Sequence, residues 1–175
     1  MIKLTIIIPV YNEIKTIEKL IKKILKINIK KQLIIVDDGS SDGTELILKK
    51  YKSRIDKLIF HKKNLGKGAA IKSGQKYVSG QYIGIQDADL EYDPRDLKKI
   101  VNEMDKRDLQ VMYGSRVLKK NKFKNTQNFT HIVRIWGNIF LTKASNFLNK
   151  QKLTDAHTCY KIFDSRIFKK IKLKE

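Results

Sequence analysis

Acidic residues gather at three places in a chain otherwise rich in lysine. Asp87-Ala88-Asp89, with Glu91 two residues on, follows the apolar run Tyr82–Gln86. If that backbone stays extended, residues i and i+2 face one way, so Asp87, Asp89 and Glu91 share a face. Adjacent carboxylates repel one another unless a cation lies between them, and an all-oxygen set suits Mg²⁺ or Mn²⁺. Mg²⁺ favours one or two carboxylates together with substrate phosphates, which points to a nucleoside diphosphate. The same residues equally suit a turn and helix cap before Pro94. Asp37-Asp38 follows a second apolar run, Gln32–Val36, and leads into Gly39–Thr44. There a carboxylate could accept hydrogen bonds from a nucleobase or ribose, and Ser41 or Asp42 equally suits a cap. Pro9-Val10-Tyr11-Asn12-Glu13 closes the first apolar run with an aromatic ring for base packing and a carboxylate. Asn12 also suits an N-cap.

Other chemistry-bearing residues form no pattern of comparable reach. Asn64-Leu65-Gly66-Lys67-Gly68-Ala69-Ala70 lacks the Gly-Lys-Ser/Thr ending of a Walker loop, and Ile71 stands where a dinucleotide fingerprint needs glycine. It reads as a turn opening a helix, with Lys67 near phosphate. His61 closes a strand and suits a structural role. Cys159 has no flanking feature of a nucleophile. Three histidines and one cysteine argue against a Cys/His zinc site, and one cysteine excludes an internal disulfide, which fits a reducing compartment.

These clusters sit at the ends of regularly spaced elements. Strands are expected at Leu4–Ile8, Gln32–Val36, Leu58–His61, Tyr82–Gln86 and Gln110–Tyr113, from short apolar β-rich runs. Helices are expected between them. Ile14, Ile17, Leu20, Ile21, Ile24 and Leu25 recur at helical spacing, and further helices are read over Gly43–Tyr51, Gly66–Val78 and Pro94–Arg107. Alternation of this kind predicts an α/β fold, a mostly parallel, Rossmann-like sheet with helices on both faces. Ligands of such sheets bind outside the carboxyl ends of the strands, where the three acidic clusters lie. Past Gly114 come a basic loop, Lys119–Lys124, and a long helix carrying Phe129, Ile132, Val133, Trp136, Phe140, Ala144, Phe147 and Leu148. With 175 residues, no internal repeat and no linker, residues 1–175 read as a single domain.

The net charge is +20, from 38 Lys+Arg against 18 Asp+Glu. Only six of the basic residues are Arg, the side chain that nucleic-acid recognition favours, and the 32 lysines are spread along the chain. A solvated lysine face and an anionic membrane surface are the two readings of this excess. The N-terminus shows no leader pattern, and no window approaches the roughly 18 apolar residues of a membrane span. A soluble or peripheral protein is expected.

Six segments taken in order resemble an inverting family 2 glycosyltransferase of the GT-A fold, near the dolichyl/polyprenyl-phosphate mannose synthase group. They are Ile6–Glu13 (IIIPVYNE), Val36–Thr44 (VDDGSSDGT), Asn64–Gly74 (NLGKGAAIKSG), Asp87–Pro94 (DADLEYDP), Gly114–Arg116 (GSR) and Thr154–Phe163 (TDAHTCYKIF). The resemblance implies that Pro9, Tyr11, Glu13, Val36 and one or both of Asp37 and Asp38 hold the nucleoside of a donor such as GDP-mannose or a UDP-sugar. It implies that Asp87, Ala88 and Asp89 meet ribose, diphosphate and metal, with Glu91 as a further oxygen ligand where many relatives have Gln. Asp89 and Arg116 are the implied catalytic pair, and Arg134 and Lys161 the implied acceptor-phosphate ligands. In Thr158-Cys159-Tyr160 the usual Ser-Gly-Phe is altered. Implied partners are a nucleotide sugar, a polyprenyl-phosphate lipid and the cytoplasmic face of a membrane, but not nucleic acid. A sugar hydroxyl of a surface polysaccharide is the other acceptor. Relatives continue past the last motif with strands and amphipathic or membrane helices, so a shortened form, even a nucleotide binder without turnover, is also open.

Overall fold

The computed structural model describes residues 1–115, 129–150, 152–156, 158 and 160–171, with 129–135 as backbone only. Strands are β1 (Leu4–Val10), β2 (Lys31–Asp37), β3 (Lys57–Phe60), β4 (Tyr82–Ile85), β5 (Val111–Tyr113) and β6 (Lys161–Asp164). Helices are α1 (Ile17–Leu25), α2 (Thr44–Lys50), α3 (Lys67–Gln75), α4 (Arg95–Arg107), α5 (Phe129–Asn149) and the single turn α6 (Ser165–Phe168), with a 3₁₀ turn at Lys52–Arg54.

The sheet order is β3-β2-β1-β4-β6-β5. β1 pairs in parallel with both β2 and β4, and β2 in parallel with β3, as the alternating pattern requires. β6 lies antiparallel to β4, with Gly84 opposite Ile162. That strand was not expected. Its Lys-Ile-Phe-Asp is too short to show alternation and sits inside a motif read for its chemistry.

β1 and β2 are central because both their faces are covered: Ile6, Ile7, Ile8, Ile34, Ile35 and Val36 are fully buried. α3 lies against them through small residues. A Cβ on Gly74 would stand 3.0 Å from the Ile7 methyl, so glycine permits the close approach of helix to sheet. α1 buries Ile17, Leu20, Ile21 and Ile24 and exposes Lys19 and Lys22.

Two compact units make up the chain: Met1–Met112 with Ile162–Glu175, and Tyr113–Lys161. In the second, α5 holds the segment after it through a polar row. The Asn138 side chain donates to Asp155, the Ala156 N–H to Thr142, and the Asn146 amide exchanges hydrogen bonds with the Leu153 main chain. These three side chains recur every four residues and so lie on one helix face. No described helix is long and apolar enough to cross a membrane.

Candidate active site

The chain runs outward from β1 through β2 to β3 and then returns to β4 on the other side of β1, so the direction of winding reverses between β1 and β4. A crevice forms at such a reversal beyond the strands' carboxyl ends. Here it is a cleft of about 370 Å³, lined by Pro9, Val10, Tyr11 and Glu13 after β1, Asp38 after β2, Asn64, Gly66 and Lys67 at the entry to α3, and Asp87, Ala88 and Asp89 after β4. Every residue of it belongs to the first unit.

Local chemistry fixes the first two exits to each other. Asn12 adopts a left-handed conformation (φ 54°), its N–H donates to the Ser40 hydroxyl, and its side-chain oxygen accepts from the Ser41 N–H, each at 2.9 Å. The Glu13 N–H donates to the Thr44 hydroxyl at 2.9 Å, and the Ile14 N–H to Asp42 at 3.0 Å. Burial would raise the Asp42 carboxyl, but hydrogen bonds from the Thr44 hydroxyl and from the Ile14 and Thr44 N–H groups outweigh it and hold the group below its ordinary value. Asn12 and Asp42 therefore act as latches between loops. The caps of α1 and α2 fall instead at Thr16 and Gly43.

The third segment is fastened by Asp38. Its carboxylate accepts from the Leu65 N–H at 3.0 Å, the Gly66 N–H at 2.7 Å and His61 Nδ1 at 2.6 Å. Gly39, at φ +76°, follows because a Cβ there would meet the Lys63 main chain at 2.6 Å. Asp37 turns away from the cleft: its Oδ1 accepts from the N–H and hydroxyl of Ser40. Of the adjacent pair only Asp38 lines the cleft. Val36 does not reach it either, since its side chain lies in the core with Ile7, Ile34 and Ala70. Strand alternation separates Asp37 from Asp38, while Val36 shares the face of Asp38 but lies inside β2, short of its carboxyl end.

After β4, Gln86 is fully buried and its amide donates to the Asp87 carbonyl at 2.9 Å, fixing where the acidic segment begins. The expectation of one extended face for Asp87, Asp89 and Glu91 fails. Leu90 is left-handed (φ 65°) and the Asp89 carboxylate accepts the Glu91 N–H at 3.0 Å, so the chain turns. Asp87 and Asp89 stay in the cleft; Glu91 is exposed outside its lining. Among the described residues no three acidic, histidine or cysteine side chains gather as a metal cluster. The donor set is instead two carboxylates, which is what Mg²⁺ or Mn²⁺ uses when substrate phosphates complete its shell. Lys67 Nζ ion-pairs with Asp87. Nearby, the Arg95 guanidinium draws the Asp93 carboxyl down to about 2, which commits Asp93 to the start of α4.

Lys161 lies in the second unit, 5.6 Å above the Tyr113 ring. Arg116 and the Arg134 side chain lie outside the described residues. The sequence reading missed the cleft positions of Val10, Asn64 and Gly66. The last two sit in a segment whose turn chemistry was noted, and their place beside Asp38 was the signal.

The fold is an α/β sheet with an acidic cleft at its winding reversal, where sheets of this class bind their ligands. The match to glycosyl transferase family 2 spans residues 5–172, and the chain belongs to that family. It is 27% identical over 180 residues to the dodecaprenyl-phosphate galacturonate synthase of Rhizobium johnstonii, covering 98% of this chain and 51% of that protein. It is 32% identical over 110 residues to the undecaprenyl-phosphate 4-deoxy-4-formamido-L-arabinose transferase of Salmonella choleraesuis, covering 59% of this chain and 34% of that one. The chain thus spans about half the length of the first of these relatives and about a third of the second. Its fold matches glucosyl-3-phosphoglycerate synthase of Mycobacterium tuberculosis, solved with Mn²⁺, UDP and glucosyl-3-phosphoglycerate. The TM-score is 0.66 at 16% identity, over 94% of this chain and 57% of that one. The GT-A architecture expected from the motifs is the one observed.

Proposed function

We propose that this chain is the donor-binding, catalytic domain of a metal-dependent inverting glycosyltransferase that moves a hexose from a nucleotide sugar to a polyprenyl phosphate. The observation that carries the reading is the cleft at the winding reversal. It gathers Tyr11, Glu13, Asp38, Asp87 and Asp89 from three strand ends, and its lining sets four carboxylates against one lysine in a chain of net charge +20. Such a cleft repels a bare diphosphate and accepts one that arrives with a divalent cation.

In this reading Tyr11 packs on the base, while Glu13 and Asp38 accept hydrogen bonds from the nucleoside. Asp87 and Asp89 would hold Mg²⁺ or Mn²⁺ with the diphosphate; a bound cation of this kind neutralises charge growing on a leaving diphosphate. Lys67 would then leave Asp87 for a phosphate oxygen, and the family resemblance assigns a phosphate role to Arg116 as well. An acceptor phosphate monoester, with a second pKa of about 6, is already ionised at neutral pH and attacks the anomeric carbon without a protein base. Arg134 and Lys161 would hold it. Asp155, the residue that could serve a hydroxyl acceptor as base, is 1% exposed and bonded to Asn138, which favours the phosphate acceptor. The named activities of the two polyprenyl-phosphate relatives support the same choice.

The acceptor places the protein at the cytoplasmic face of a membrane. α5 supports this: Trp136, Phe140 and Phe147 are 69%, 71% and 85% exposed along one stripe, with Lys143, Lys150 and Lys152 nearby in sequence. An aromatic stripe among lysines suits an anionic bilayer surface. The test is a thermal-shift screen of UDP, GDP, UDP-glucose and GDP-mannose with and without Mn²⁺, followed by incubation of the labelled donor with membranes. Metal-dependent binding and a butanol-extractable, acid-labile product are expected. Binding without metal, or label only in polysaccharide, would refute the reading.

A further inference from the structure

We propose that His61 is a positioning residue for the nucleotide cleft: its imidazole ties the Asp38 carboxylate to Ser73 of α3 and thereby fixes the one acidic side chain that β2 contributes to the lining. The inference rests on the nucleotide reading above and adds residues that do not line the cleft.

His61 follows β3 directly. Its N–H donates to the Asp37 carbonyl at 2.8 Å, so the ring's starting point is set by the sheet. The side chain is 10% exposed and that of Asp38 only 4%. Nδ1 lies 2.6 Å from Asp38 Oδ1 and Nε2 2.9 Å from Ser73 Oγ. An ionised carboxylate only accepts, so Nδ1 carries the hydrogen; in the neutral ring Nε2 is then an acceptor for the Ser73 hydroxyl. Both ring nitrogens are satisfied in that tautomer.

The geometry decides what Asp38 can do. A carboxylate has about four lone-pair sites, and three are taken by His61, Leu65 and Gly66. Two of those donors are main-chain groups of one loop, Asn64–Gly66, and move with it. The third, His61, belongs to the sheet edge and is braced on the body of α3. Remove it, and the carboxylate is held from one side only and can rotate with the loop. The remaining acceptor site, the one left for a ligand, then loses its direction. Ser73 is not among the cleft-lining residues. The Asp-His-Ser arrangement therefore holds a carboxylate in place and does not present a nucleophile. It also joins Asp38 to the helix whose first residue, Lys67, pairs with Asp87. The acidic and basic groups of the cleft thus share one frame.

The experiment compares His61→Asn, His61→Gln, His61→Ala and Ser73→Ala in the 175-residue chain, titrating UDP and GDP by calorimetry with Mn²⁺ present and recording melting temperatures without nucleotide. Asparagine puts its amide nitrogen where Nδ1 stands and keeps the donor to Asp38. Glutamine reaches only toward the Nε2 side. Nucleotide affinity should fall about tenfold in His61→Ala and His61→Gln, the loss of one hydrogen bond to a charged group, and stay within about threefold in His61→Asn. Ser73→Ala should fall between. A role in packing alone ranks the variants by volume, with glutamine at least as good as asparagine in both melting temperature and affinity; that order overturns the proposal, as does unchanged affinity in all four. If His61→Ala does not fold, the asparagine–glutamine pair decides. Failure of the unaltered protein to bind UDP or GDP sinks the nucleotide reading and this inference with it. Binding that is intact in every variant sinks the inference alone.

Discussion

Helix α1 buries Ile17, Leu20, Ile21 and Ile24 and turns Lys19 and Lys22 to water, whereas α5 exposes Trp136, Phe140 and Phe147 and buries Thr142. Both carry an apolar stripe at helical spacing, so periodicity alone makes them alike. Their surroundings differ. The stripe of α1 is covered within its own unit, while the polar row of α5 faces the segment that follows it and its aromatic stripe stays open. A stripe of that size, left exposed beside lysines, is what an interacting surface looks like. The first unit is closed around its core and holds the acidic cleft; the second carries polar contacts inside and apolar area outside.

If the first unit alone handles the donor, the largest loss comes from its cleft. Asp89→Ala should lower sugar transfer by about 10²–10³-fold and abolish the metal dependence of UDP or GDP binding, since charge stabilisation at the reacting centre is removed. Melting temperature without ligand should hold, because Asp89 is exposed. Calorimetry with and without Mn²⁺ checks both halves, and metal-dependent binding that survives would remove Asp89 from the site.

The two stripes are compared directly by one substitution in each. Ile21→Ala, at a fully buried position, should cost about 2–5 kcal/mol in urea unfolding. Phe147→Ala should change stability by under about 0.5 kcal/mol, as exposed substitutions do. The same Phe147→Ala should weaken flotation with vesicles of anionic phospholipid about tenfold, the equivalent of roughly 1.5 kcal/mol of buried aromatic area. A destabilised Phe147→Ala protein with unaltered flotation would reverse the assignment.

Closure of the first unit has a pH signature at Tyr82. Its hydroxyl donates to Asp105 at 2.9 Å, and burial, reinforced by that hydrogen bond and charge, pushes the phenol up to about 12. The folded value lies above the ordinary value of about 10, so this group's contribution is fully present below pH 10. It is lost as pH rises from about 10 through 12, because the folded state keeps a proton that the unfolded chain gives up. Urea midpoints across that range should fall less steeply in Tyr82→Phe than in the unaltered protein; parallel slopes would show that the phenol is not so held.

Much of this was legible beforehand because the physics was local. Runs such as Leu4–Ile8 and Gln32–Val36 are too apolar for anything but a buried strand, and turn residues at their ends marked the cleft. Register was not legible. The choice between Asp37 and Asp38 depends on strand alternation relative to neighbours not adjacent in sequence, and Val36, on the same face as Asp38, fell to the core because it lies within β2 and not beyond its end. Glu91 misled because an i, i+2 argument presumes extended backbone, and Leu90 breaks it. His61 looked structural from sequence, and its partner Ser73 lies 12 residues away on a helix. The outward stripe of α5 was invisible, since periodicity reports a face and not which way it points.

The finest contrast between the units is a pair of buried threonines. Thr44 is fully buried, and its hydroxyl both donates to Asp42 at 2.6 Å and accepts the Glu13 N–H at 2.9 Å. Thr158 is 2% exposed, and its hydroxyl has no partner among the described residues. Valine matches threonine in shape and lacks only the hydroxyl. Thr44→Val leaves an N–H and a carboxylate short of a partner in the latch between β1 and β2 and should cost about 1–3 kcal/mol. Thr158→Val removes a desolvated hydroxyl that gains no hydrogen bond among the described residues, so its effect should be near zero or stabilising by under about 1 kcal/mol. Chemical denaturation of the two variants side by side reads the difference. Equal losses would mean that the Thr158 hydroxyl is bonded in the folded protein in solution, and that the second unit is as closed as the first.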